Sequence, residues 1–519
     1  MISNRIIPTD VSPKHPLRTS REGSRSQREW LAQELYRFDH QNSWTVRDAV
    51  EGTQVFGGTG SGKTSGSGKA VATSLIRSGF GGHVLTAKSD DLQTWLGYFE
   101  AAGVDPSERL VVLSPDGPYH FNPLAYEYFL DFNGDRQGDT RRLVNLFMTA
   151  LGSGQGEVSQ TDPYWNDALR ELLTHAAALA SFANGRVEDG HFVAPSGEQG
   201  IRLADMAEIV RSAPQSRSEL QSRTWRKSSV CSQFVSKADA IYKQLAETDP
   251  RREDVKGTVG YWLGSFPNLS DRTRSVIVSS FTSKANELLR QPLRTLFCTN
   301  TSPEVTPEET FRGKIVLVDF PVKTYGEAGR LAQVLYKTVW QHAAETPRRW
   351  LGGTAEWTPT FLWADEAQHF VTDEDVLFQA TARSQLAATV YLTQSISNYY
   401  HALGGSRSSA TDSLLGSLQM KVFHTNGDPA TNEWAGRLFG TDVFGHVTPS
   451  SNTSAGQASS FGLSHQQARE PILPASDFTK LQRGGGKDLQ TEAVVFHAGR
   501  RWQGADGRRN FLFHRFKQR

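Results

Sequence analysis

Two short runs of residues are suited to chemistry. Gly57-Gly58-Thr59-Gly60-Ser61-Gly62-Lys63-Thr64 has the spacing G-x-x-x-x-G-K-T. Glycines at that density let a backbone curl until its N–H groups converge on phosphate oxygens. The lysine then reaches the outer phosphates, and the threonine hydroxyl can ligate Mg²⁺. The run lies between an apolar stretch, TQVFG, and a segment of helical spacing, KTSGSGKAVATSLIRSG. A bound anion would therefore also meet a helix N-terminus. The expected ligands are ATP and Mg²⁺.

The second run, Thr360-Phe361-Leu362-Trp363-Ala364-Asp365-Glu366-Ala367-Gln368, is an apolar strand that ends in two acids. Asp365 is placed to hold the metal through water. Glu366 can orient or deprotonate a water for attack on the outer phosphate. A further strand, Ala388 to Gln394, ends in an amide that can hydrogen-bond that water or the phosphate. Alone, each strand end reads as an ordinary polar turn; beside the glycine loop they read as parts of one site. Gly66 and Gly68 are less expected, because a glycine inside a helix costs about 1 kcal/mol relative to alanine. Close packing of that helix is the reading that accounts for them.

The elements that must position these groups alternate. Strand, helix, strand, helix, strand over 53–114 predicts an α/β fold with a parallel sheet covered by helices on both faces. From roughly 135 to 300 the periodicity is helical, and then the α/β pattern resumes. The expected organisation is an N-terminal arm and short helix over 1–50, a nucleotide-binding domain over 51–130 and 300–519, and an all-helical insertion over 131–299. REWLAQELYRF, 28–38, has amphipathic helical spacing, and 447–468 is polar and rich in glycine and serine, as in a flexible loop.

The 519 residues suit two to four domains. With 56 basic against 55 acidic residues, the net charge of +1 does not fit a protein that coats nucleic acid. DNA contact would need local patches. Arg211–Lys227, with Trp225, and the stretch 499–519 are basic and carry aromatics, which grip phosphates and stack on bases in single-strand binders. Each is read first as a solvated basic face or a terminal strand. The two cysteines, Cys231 and Cys298, imply no disulfide framework. Residues 1–27 lack an apolar core, and no apolar stretch reaches 18 residues. The expected location is cytoplasmic, or peripheral at the inner membrane through partners.

The succession GGTGSGKT, FNPLAY, DPYWNDA, FLWADEAQ, ATARSQLAATVYLTQSISN and MKVFHTNGDPATNEWAGRLFG resembles the conjugative coupling ATPases of TraG/TraD type, within the FtsK/HerA group of RecA-like P-loop motors. The likeness covers about 50–125 and 255–500. It implies a RecA-like fold, a homo-hexameric ring with nucleotide at subunit interfaces, and DNA moved through the pore. Arg383 is then a finger reaching a neighbour's outer phosphate. Secretion-channel or relaxosome proteins are the implied partners. The chain departs from the family pattern in having no apolar N-terminal anchor. Two other readings are a nucleotide-gated docking or scaffold protein that moves no DNA, and a small-molecule phosphotransferase.

Overall fold

The computed structural model describes residues 29, 31–129, 140–152, 163–195, 200–345, 358–404, 409–452, 460–504 and 507–518. In chain order the strands are β1 Glu34–Arg37, β2 Ser43–Thr45, β3 Thr53–Phe56, β4 Gly81–Leu85, β5 Leu110–Leu113, β6 Arg186–Glu188, β7 His191–Val193, β8 Ile315–Val318, β9 Thr360–Ala364, β10 Ala387–Thr393, β11 Met420–His424, β12 Thr441–Asn452, β13 Ser460–Pro471, β14 Gln490–His497, β15 Trp502–Gly504, β16 Gly507–Arg509 and β17 Phe511–Lys517. Nine of them form one sheet in the order β17-β14-β11-β3-β10-β9-β4-β8-β5. From β11 to β5 every neighbour pair is parallel; β14 and β17 add an antiparallel edge. β3, β9 and β10 are buried along their whole length. That burial is why they read as continuous apolar runs rather than alternating ones. The α/β expectation holds.

The helices used below are α1 Val46–Val50, α2 Lys69–Arg77, α3 Asp91–Ala102, α4 Thr140–Gly152, α5 Pro163–Asn184, α6 Leu203–Arg211, α7 Val230–Gln244, α8 Asp271–Leu288, α9 Val322–Ala344, α10 Asp373–Ala382, α11 Ile396–Ala402 and α12 Pro429–Phe439. α2 and α3 pack on one face of the sheet with Trp95, Phe99 and Trp363. The other face continues into the insertion, whose Leu143 and Phe147 share a core with Phe121 and Tyr336.

Three local expectations are corrected. Of the helix expected over 28–38, Glu29 and Leu31 are helical, but Glu34–Arg37 form β1, which pairs with β2 across a turn where Asp39 accepts the amides of Gln41 and Asn42, both at 2.8 Å. Tyr36 and Phe38 there meet His514 and Phe516 edge-on or stacked, long-range contacts that outweigh local helical spacing. The insertion is not all helical. β6 and β7 form a hairpin turned by Asp189 and Gly190, both in the left-handed region. The stretch 447–468 is no loop where it is described. β12 and β13 pair in unbroken register from Thr441↔Pro471 to Asn452↔Ser460. Their described side chains are largely exposed on both faces, so no apolar alternation announces a ladder held by main-chain bonds.

The helix behind the glycine loop opens with a wide π-type turn, Lys63–Gly68, before continuing as α2. A Cβ on Gly66 would collide with the Thr491 methyl, and one on Gly68 would lie 2.8 Å from Lys63 O and 3.1 Å from Leu392 Cδ2. Both glycines are therefore close-approach positions. Ser67 between them hydrogen-bonds His424 Nε2 at 2.7 Å. His424 is fully buried, and burial, with Lys63 adding to it, pushes its imidazole down to about 3 despite the Glu492 carbonyl facing Nδ1.

Two outcomes follow from this seat. Gly66→Val lowers folding stability by roughly 1–3 kcal/mol through overpacking, whereas Gly257→Ala, at an open helix position, raises it by roughly 0.5–1 kcal/mol; denaturant titration checks both. His424 stays neutral when folded but charges in the unfolded chain below the ordinary value of 6.5. Its stabilising contribution is therefore complete above that pH and declines as pH falls toward 3. The stability gap between the parent protein and His424→Gln should narrow by about 1.4 kcal/mol per pH unit over that window. A gap independent of pH would contradict the assignment.

Candidate nucleotide-binding site

At the C-terminal ends of the parallel strands, the loop Gly57–Thr64 joins β3 to the π-type turn. Gly60 and Gly62 adopt φ of 72° and 88°, and a Cβ on Gly57 would strike Ser61 Oγ. The glycines are thus required by the curl itself. The loop is anchored from below by Gly57 N to Thr393 O at 3.2 Å and Gly58 N to Thr425 O at 3.0 Å.

A cavity of about 510 Å³ opens over the loop and is walled by Glu366, Gln394, Lys88, Lys323 and Tyr98. Parallel pairing brings the acids there. β9 and β3 flank β10, with Ala364 opposite Tyr391 and Phe56 opposite Thr393. Lys63 Nζ donates to Glu366 Oε1 at 2.9 Å and lies 3.8 Å from Asp365 Oδ1. Thr64 Oγ1 donates to Asp365 Oδ2 at 2.8 Å. Gln394 Nε2 is 3.3 Å from both Glu366 oxygens. The structure thus brings together Lys63, Thr64, Asp365, Glu366 and Gln394.

Burial alone would raise the Glu366 carboxyl. Lys63, the Gln368 amide and Lys88 outweigh it and hold the group down at about 2. Glu366 also sits at φ 55°, and its amide donates to its neighbour Asp365 at 2.9 Å. A non-glycine residue in that region is a strained position that its surroundings must enforce. Thr64, with a hydroxyl beside the Asp365 carboxylate, makes an all-oxygen donor pair suited to a hard divalent cation.

Several participants carry no signal in the sequence. Gln368 Nε2 donates to Glu366 Oε2 at 2.9 Å and is itself held by Thr393 Oγ1 at 2.7 Å. Tyr98 OH donates to Thr64 O at 2.8 Å. From the far end of the chain, Arg483 Nη2 donates to Thr59 O at 2.9 Å, and Thr491 Oγ1 donates to Ser61 O at 2.6 Å. A Cβ on Gly484 would lie 2.9 Å from Gly62 Cα. The run Gly484-Gly485-Gly486 was the available hint of that close approach.

Arg383 lies elsewhere. It follows α10 and precedes β10, so it stands at the N-terminal ends of the strands, opposite the phosphate loop, where its guanidinium is 3.2 Å from Glu51 Oε1. The aromatics of the two basic stretches are mostly internal. Trp225 is buried with Nε1 on Ser212 O at 3.0 Å, and Trp502, Phe511 and Phe516 belong to the core; Phe513 is exposed. Cys231 and Cys298 are free thiols. Among the described residues no helix is long and apolar enough to cross a membrane.

Residues 359–483, from β9 through β13 and beyond, match the family model described as the TraM recognition site of TraD and TraG. No curated protein sequence matches the chain. Among solved structures the fold is similar to that of the bacterial conjugative coupling protein TrwB. The form with sulphate aligns at TM-score 0.55 and 15% identity over 93% of this chain and 91% of that one. The form with the GTP analogue GDPNP aligns at 0.55 and 14% over 92% and 88%. The form with ADP and Mg²⁺ aligns at 0.55 and 13% over 92% and 87%. Residues 359–483 thus carry the sequence signature of the TraM recognition site of TraD and TraG, and the chain shares its α/β fold with TrwB.

Proposed function

We propose that this protein hydrolyses ATP to drive DNA, or a nucleoprotein, through a homo-hexameric ring. The observation that carries the reading is the convergence of Lys63, Thr64, Asp365, Glu366 and Gln394 around one open cavity. The TrwB structures with ADP and Mg²⁺ or with GDPNP support nucleotide as the ligand. The motor domain is taken as 51–130 with 300–519, the insertion as 131–299, and 1–50 as a leading segment. The protein acts in the cytoplasm or at the inner membrane through partners.

In this reading the loop amides and Lys63 bind the outer phosphates. Glu366 positions a water and takes its proton as the water oxygen bonds to the outer phosphorus and the bridge to the leaving diphosphate breaks. Paired with Lys63, Glu366 is a weak base. When phosphate draws the ammonium away, burial dominates and its basicity rises. Gln394 orients the water. Thr64 and Asp365 would hold Mg²⁺, which neutralises phosphate charge when bound. Arg383, absent from its own chain's cavity, would serve a neighbouring subunit.

A second reading, nucleotide-gated docking without DNA movement, draws on the exposed β12–β13 ribbon. It lies inside the segment whose family is described by TraM recognition. Relaxosome or secretion-channel proteins would be the docked partners.

Lys63→Ala and Glu366→Gln should each lower turnover by about 10²-fold or more, the second while retaining bound ATP. Full hydrolysis by Glu366→Gln would remove it as the base. ATPase rate measured with and without single- and double-stranded DNA, together with particle mass in ATP and Mg²⁺, separates the two readings. Stimulation by DNA and a six-fold mass support the motor; a rate indifferent to both DNAs supports docking.

A further inference from the structure

The cavity has a second basic wall, facing the phosphate loop, that the hydrolysis scheme leaves unused. Lys88 follows β4, and Lys323 lies in the first turn of α9; both line the same cavity as Gly58–Ser65. They hang from one backbone junction, because Lys323 N donates to the carbonyl of Ala87 at 3.0 Å. Lys88 Nζ lies 3.4 Å from Asp365 Oδ2 and 3.7 Å from Glu366 Oε1. Lys323 is exposed, and its ammonium has no ion-pair partner among the described residues.

The charges explain what this wall suits. The groups facing one another are the ammoniums of Lys63 and Lys88 and the carboxylates of Asp365 and Glu366, with Asp91 behind Lys88. Lys69 and Lys323 line the cavity as well, so four ammoniums stand against the three carboxylates of Asp365, Glu366 and Asp91, and the cavity keeps a surplus of positive charge. A ligand that compensates it must be an anion. Lys63 and Lys88 both meet Glu366 Oε1, at 2.9 and 3.7 Å, so an anionic group bound by Lys63 comes within reach of Lys88, and in the hydrolysis scheme that group is the outermost phosphate of a triphosphate. A diphosphate lacks that group.

We propose that Lys88 and Lys323 form a second grip on the outermost phosphate, opposite Lys63, by which the site distinguishes a nucleoside triphosphate from a diphosphate. The assignment rests on the reading of this cavity as a nucleotide site. Lys88 changes partners, from the two carboxylates to the phosphate oxygens, and Lys323 closes from the rim. Both act as point charges, as lysine does on phosphate.

The test is equilibrium titration of a fluorescent non-hydrolysable ATP analogue and of fluorescent ADP, with Mg²⁺, into the full chain and its variants. Lys88→Ala and Lys323→Ala should each weaken the triphosphate roughly tenfold while ADP affinity stays within about twofold, and Lys88→Arg should restore most of the discrimination. Lys323 is exposed, so its variant keeps the test valid even where Lys88→Ala disturbs the carboxylates. Equal losses for both nucleotides, or no loss for either, would overturn the second grip. Lys63→Ala marks the other failure: if it leaves both affinities intact, or the parent protein binds neither nucleotide, the reading of the cavity falls and the second grip falls with it.

Discussion

Burying Lys63 against Glu366 and Asp365 is the constraint on which the structure turns. Three charged groups lie almost entirely out of water, with side-chain exposures of 8%, 4% and 7%. Such a cluster persists only when every charge has a partner and the remaining lone pairs are hydrogen-bonded. Lys88, Thr64, Gln368 and Gln394 supply those partners, and they come from four separate places in the chain. The sheet makes the meeting possible. Strands about 4.8 Å apart place the ends of β3 and β9, with β10 between them, about 10 Å from each other. A lysine and a glutamate side chain together span that gap.

The loop must also be held from behind, and the antiparallel edge of the sheet does this. Thr491 on β14 takes Ser61 O and fills the space left by Gly62 and Gly66. His424 on β11 takes Ser67, and Gln518 beyond β17 takes Ser65 at 2.5 Å. A helix with two glycines in its first turns would be weak alone. Here the missing side chains are what lets two strands and a loop press against it. The intrinsic cost of those glycines is offset by packing that no bulkier residue would permit.

Some of this was legible in the residues alone because the governing physics is local. A phosphate loop is eight consecutive residues whose glycines serve the curl within that same stretch. An apolar run ending in Asp365 and Glu366 is a strand end wherever it is placed. The strands of the parallel sheet announced themselves because burial on both faces demands unbroken apolar sequence. Where stability comes from partners hundreds of residues away, the local pattern misled. Tyr36 and Phe38 lie in a stretch of helical spacing, 28–38, yet serve the aromatic cluster of β17, and β12 pairs with β13 through main-chain groups that every residue possesses.

The sequence by itself determined which chemistry was available: a phosphate-cradling loop, two acids and an amide at strand ends, and an α/β frame to carry them. Only the tertiary structure decided which of those groups meet. It joined Gln394 to Glu366 and set Arg383 at the opposite, N-terminal ends of the strands. It brought in Lys88, Gln368, Arg483 and Thr491, none of which any local motif singles out. The reason is that ion pairs and hydrogen bonds act over a few ångströms of space, and strand order and register, not sequence distance, set which side chains come within that range.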